Sequence, residues 1–153
     1  MIIYFLEKSI SFNADDLNSN IIGGTEKILI NISNELAKDT NNQIKVFNNT
    51  KKNVTINDVE WINFNNYNNY KNPDVIISFS DMNLLSFFKC KNKFLWSHSV
   101  QSIEKFIRKR QLIPYMINRP TLILEGDYHD KTRPKVLSLF GRKIIKLAPD
   151  YEF

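Results

Sequence analysis

Short apolar runs alternate with longer segments whose apolar residues recur at helical spacing. Ile2–Leu6 is a continuous apolar run and predicts a buried strand. Ile28, Leu29, Ile32 and Leu36 then repeat at one-turn intervals, which predicts an amphipathic helix over Thr25–Lys38. Gln43–Phe47 and Val59–Phe64 read as strands joined by a polar segment, and Asp74–Phe79, entered through Pro73, is the clearest strand of all. Met82–Phe88 predicts a short apolar helix and Lys93–Ser97 another strand. Ser102–Asn118 predicts a basic helix broken or kinked at Pro114. Thr121–Leu124 predicts a strand, Asp130–Phe140 a helix and Lys143–Leu147 a last strand. The Asn-rich stretch Asn65–Tyr70 is expected to be a loop.

Near-continuous apolar strands between helices point to a mostly parallel sheet covered on both faces, a Rossmann-like three-layer α/β domain. At 153 residues, without an internal repeat or linker, residues 1–153 are expected to form one such domain. In these sheets ligands bind beyond the carboxyl ends of the strands. The polar residues to inspect there are Gly23 and Gly24 after the first strand, Ser78 and Ser80 after Asp74–Phe79, Ser97 and His98 after Lys93–Ser97, and Glu125 and Asp127 after Thr121–Leu124.

Composition narrows this modestly. A net charge of +5 suits a phosphorylated ligand, a membrane surface or a nucleic acid without choosing among them. No basic stripe interleaves with aromatics in a known nucleic-acid module, so no nucleic-acid partner is expected. Cys90 is the only cysteine, which excludes an internal disulfide and predicts a buried apolar role. The N-terminus lacks the pattern of a signal peptide and no window reaches transmembrane length, so a cytoplasmic location is expected.

Four glycines occur in the chain, and Gly23-Gly24 opens the first helix. A helix start leaves backbone N–H groups unpaired, and glycine lets a phosphate come close to them. There is no G-x-G-x-x-G and no Walker sequence, so the pair marks either a looser phosphate or sugar contact or simply a helix start that needs a small residue. His98, emerging at a strand end, can exchange a proton or bind a hydroxyl; it can equally cap a helix or pair with a carboxylate. His129, read as part of a polar loop, could join His98 and Asp127 in a metal site, but the spacing fits no ligand motif and no metal is expected. Lys105, Arg108, Lys109 and Arg110 with Ile103, Phe106, Ile107 and Leu112 make Ser102–Asn118 a candidate for peripheral contact with an anionic inner-membrane surface, or the solvated face of a packed helix. No nucleophilic triad is supported, since Cys90 is expected within an apolar helix and no serine stands in G-x-S-x-G.

Taken in order, Gly23-Gly24-Thr25-Glu26, Leu36-Ala37-Lys38, the Asp74–Phe79 strand and Trp96-Ser97-His98 resemble the N-terminal, acceptor-side half of GT-B glycosyltransferases, the large retaining family four in particular. Leu147-Ala148-Pro149-Asp150 resembles the turn that ends that half, although its glycine is missing, and Glu125-Gly126 departs from a strand that leads to a serine in the family. The resemblance implies a nucleotide-diphospho-sugar as donor substrate, with no further cofactor. It implies that Gly23, Gly24 and Thr25 lie against the diphosphate and that His98 faces the reacting sugar. Ser80, Ser97 and Glu125 would help bind a sugar or lipid-linked acceptor. The family's donor-binding second domain, with its basic pair and E-x7-E motif, is not found in these residues, so activity is expected only with a second domain or a separate donor-binding chain. The alternatives are a non-catalytic α/β interaction or regulatory subunit, and a small ligand binder that uses only the glycine loop.

Overall fold

The computed structural model describes residues 1–98, 108–132 and 144–147. An eight-stranded sheet runs through it in the order β3-β4-β2-β1-β5-β6-β7-β8. The strands are β1 (Ile2–Leu6), β2 (Gln43–Asn48), β3 (Val54–Ile56), β4 (Val59–Asn63), β5 (Val75–Phe79), β6 (Asn92–Ser97), β7 (Thr121–Glu125) and β8 (Ile144–Leu147). Every pairing is parallel except that of β3 with β4. The helices are α1 (Gly24–Ala37), α2 (Leu112–Asn118) and α3 (Gly126–Thr132). The domain is therefore a Rossmann-like three-layer α/β fold.

Alternation along each strand builds two cores. Ile3 and Phe5 face α1, whose Leu29 and Ile30 are buried against them together with Trp61, Phe79 and Trp96. Tyr4 and Leu6 face the opposite side, among Phe47, Phe64, Leu85, Phe88 and Tyr115. That second layer is only partly helical. Its connections after β4 and β5 are short 3-10 helices, Phe64–Asn69 and Met82–Ser86, and rings supply the cover that an α-helix would. Phe47 lies within 4.9 Å of Tyr4, 5.1 Å of Phe88 and 5.3 Å of Tyr70 between ring centroids. The Asn-rich stretch is thus not a loop but a 3-10 helix, capped by the Asn63 side chain, which accepts from the Asn65 amide at 3.0 Å.

Other differences from the sequence reading have local causes. β3 was not foreseen. It pairs with β4 across Asn57 and Asp58, whose φ values of 52° and 60° make a two-residue hairpin turn of the kind Asn and Asp tolerate. The break expected in Ser102–Asn118 falls at residues 109–111, where Arg110 has φ 54°, and Pro114 itself lies in the first turn of α2, where backbone N–H groups have no intrahelical partner to lose. The helix predicted from Asp130 begins earlier, because Gly126 at φ 79° turns the chain directly out of β7. His129 consequently lies in a helix rather than a loop. Cys90 falls in the loop after Met82–Ser86 and is half-buried, and burial pushes its thiol pKa up. The first part of the predicted helix Ser102–Asn118, the part of the predicted helix Asp130–Phe140 beyond Thr132 and the turn expected at Pro149 lie outside the described residues.

Candidate functional site

The site follows from the order of the strands. The chain leaves β1 towards β2 on one side, then returns to place β5 on its other side. The carboxyl ends of β1 and β5 therefore diverge, and connections leaving them in opposite directions open a crevice. A cleft of about 530 Å³ lies there, walled by Glu7–Ser9 after β1, by Phe79, Ser80, Asp81 and Asn83 after β5, and by Lys109 and Gln111 before α2. Met82 N–H donates to Gln111 Oε1 at 3.3 Å, which ties the last two walls together.

Ser80, predicted as an acceptor contact, does line this cleft. It is held at φ 58°, in the left-handed region, by a three-residue turn closed from Asp81 N–H to the Phe79 carbonyl at 2.8 Å. Its own N–H donates to the Trp96 carbonyl at 2.9 Å, which anchors the turn to β6. A serine in that region is a strained residue at a cleft-lining position.

Glu7 was missed by the sequence reading. Only 5% of it is exposed. One carboxylate oxygen accepts from Ser9 N–H at 2.8 Å, and the other has no partner among the described residues. Burial pushes its pKa up, hydrogen bonds from Ser9 oppose this, and the negative charge of Glu26 adds to the rise. A charged residue directly after the last apolar residue of β1 was the available signal.

Gly23 and Gly24 occupy the cap and first position of α1, next to the same edge. Neither has a positive φ. A Cβ on Gly23 would come within 2.9 Å of Glu26 Oε2, whereas one on Gly24 would meet nothing within 4 Å. The Glu26 carboxylate thus folds back over the helix start, with its other oxygen 3.5 Å from Ser9 Oγ. The helix's own acid already answers the positive end of its dipole, and Thr25 follows in the same half-buried turn. An incoming phosphate would meet Glu26 first, with Glu7 behind it.

His98 is brought to Glu125 across the ends of β6 and β7 through its Nδ1. A carboxylate oxygen only accepts, so Nδ1 carries a proton and, in the neutral ring, Nε2 presents its lone pair. That Nε2 is buried without a partner among the described residues. The imidazole lies nearly parallel to Trp96 and Phe79, with centroids 5.5 and 5.4 Å away. Ring packing and a carboxylate therefore fix one tautomer and one orientation, the arrangement required of a general base or a hydroxyl acceptor. Ser97 points to the other face and is 2% exposed, so its hydroxyl offers no surface to a ligand in this conformation. No group of three or more His, Cys, Asp or Glu side chains suited to a metal occurs among the described residues.

A second cleft, about 690 Å³, lies between the loop after β1 and the β2–β3 connection, with Asn13, Asp16 and Lys51 on its walls. Its base is structural: the buried Asn48 donates to the Phe12 carbonyl at 2.7 Å and accepts from Thr50 N–H at 2.8 Å. The polar residue ending β2 thus holds loops together. Comparison with known protein families, curated proteins and solved structures gives no match.

Proposed function

We propose that this domain is the acceptor-side half of a glycosyltransferase acting on a nucleotide-diphospho-sugar, with the donor nucleotide held by a second domain, in the same polypeptide or another. The reading rests on the His98–Glu125 pair, a tautomer-fixed imidazole on the carboxyl edge of a parallel sheet. The polar cleft one strand away supports it. Hydroxyls of Ser9 and Ser80, the Asn83 amide and the Glu7 carboxylate suit a polyhydroxylated ligand better than an apolar one. Nε2 is buried in this conformation, so in this role the ring must first be uncovered; Nε2 then accepts a hydrogen bond from a reacting hydroxyl, and Glu125 stabilises the positive charge that develops on the ring. Glu26 lies where the resemblance would put the diphosphate, so donor binding at Gly23 and Gly24 requires that side chain to swing out.

The test is turnover of nucleotide sugars by the chain together with the product of its neighbouring gene, for wild type and His98→Ala. Loss of about two to four orders of magnitude in kcat, with the thermal midpoint little changed, is expected of an acid–base group. Unchanged turnover would reduce His98 to a packing residue.

A non-catalytic interaction module is the second reading, and the exposed apolar side of α2 favours it. It predicts no shift of the thermal midpoint by any nucleotide sugar, with or without the neighbouring gene product.

A further inference from the structure

We propose that α2, with the Met82–Lys93 segment it packs against, forms a docking surface for an anionic lipid bilayer. Tyr115 turns inward from α2 and is fully buried, which fixes the helix's rotation. Ile113, Met116 and Ile117 are then turned outward, with 69%, 39% and 74% of each exposed. Their spacing of three and four residues puts them on one ridge. Phe87, 39% exposed, follows Ser86, whose hydroxyl accepts from the Asn118 amide at 2.9 Å, so it stands at the end of the same helix.

Charge identifies the occupant. Residues 82–93 and 108–124 contain Lys89, Lys91, Lys93, Arg108, Lys109, Arg110 and Arg119, and no Asp or Glu. Exposed Arg108, Lys109 and Arg110 precede the ridge and exposed Arg119 follows it. An apolar ridge between cations matches a membrane interface, where side chains such as isoleucine enter the acyl boundary and basic groups meet the headgroups. A second copy would set one basic cluster against another. A nucleic acid would take the cations and leave the ridge in water. Lys109 also lines the switch-point cleft, so docking through α2 would hold the cleft mouth beside the lipid surface. The surface stands on exposure and charge alone, whatever the cleft binds.

The experiment is cosedimentation of the full chain with vesicles of phosphatidylcholine, and of phosphatidylcholine with about one third phosphatidylglycerol. Binding is expected to be at least about tenfold tighter to the anionic vesicles and to fall with added salt. Ile113→Ser with Ile117→Ser is expected to weaken it by about tenfold or more, and Arg110→Gln with Arg119→Gln to remove most of the preference for anionic lipid. All four side chains are exposed, so the thermal midpoints are expected to stay close to wild type. A second measurement does not depend on those variants. A polarity-sensitive dye on Ile117→Cys, in a Cys90→Ser background, should shift to the blue on anionic vesicles only. Wild type that stays in the supernatant with both vesicles, or a serine variant that pellets as well as wild type, would overturn the proposal. A dimer that the serine variant dissociates, without vesicle binding, would overturn it in favour of a second copy. Capture by an acidic protein without vesicle binding would do so in favour of a protein partner.

Discussion

Glu7 is a buried acid with one oxygen unpartnered among the described residues, and that arrangement has a sign. Burial raises its folded-state pKa above the ordinary value of 4.5. The folded chain therefore holds the proton more tightly than the unfolded chain does. Whatever stability this proton linkage adds is fully present below pH 4.5 and is lost as pH rises through the folded pKa. Above that folded pKa the fold carries an ionised carboxylate in a place that disfavours it. Glu7→Gln keeps the shape and removes the charge, so its thermal midpoint at pH 7 is expected to exceed that of wild type. The difference should shrink as pH falls below the ordinary glutamate value. A variant less stable than wild type at pH 7 would show that the ionised carboxylate has gained a partner in solution. If the cleft binds hydroxyl groups, the same variant should bind more weakly while being more stable, since strained or under-satisfied groups concentrate where ligands bind.

Among elements, α1 separates two explanations of its glycine pair. A Cβ on Gly24 has open space and no positive φ to strain. If Gly24 only starts a helix, Gly24→Ala should be neutral or stabilising by up to about 1 kcal/mol. If a ligand's phosphate must approach the helix start, the same variant should keep that stability yet lose affinity in a nucleotide-sugar titration. Equal affinity would leave the pair without a binding role. The elements also show what the sequence could and could not reveal. Strand positions were legible because parallel strands buried on both faces are continuous apolar runs, as in Val75–Phe79. β3 was not, since Val54–Ile56 is short and largely exposed and carries almost no apolar pattern. The Asn-rich 3-10 helix was missed because rings at Tyr67 and Tyr70, not helical periodicity, hold it to the core. The His98–Glu125 pair combines two residues singled out separately as strand-end polar groups, and only the pairing of β6 with β7 shows that they meet.

At the scale of the molecule, cleft and docking ridge hang on the same thin layer. The 3-10 helix Met82–Ser86 bears the Asp81 and Asn83 wall at its start and supports α2 through Met82, Ser86 and the buried Tyr115. What holds it to the sheet is largely aromatic. Leu85 and Phe88 are buried with Tyr4 and Phe47, and no longer helix covers that face over β1 and β2 among the described residues. Phe47 is the hub, touching rings from β1, from the Asn-rich 3-10 helix and from the loop after Met82–Ser86. Phe47→Ala should therefore cost about 3–5 kcal/mol by transfer and cavity terms, measured by urea unfolding. That is a large share of the ~5–15 kcal/mol stability of a typical domain. The loss should not stay local. With the ring layer loosened, amide exchange in Met82–Phe88 and α2 should accelerate more than in α1, which packs on the opposite face. Uniform acceleration in both layers would mean that the sheet opens as one unit and that the aromatic layer has no independent role in holding the cleft.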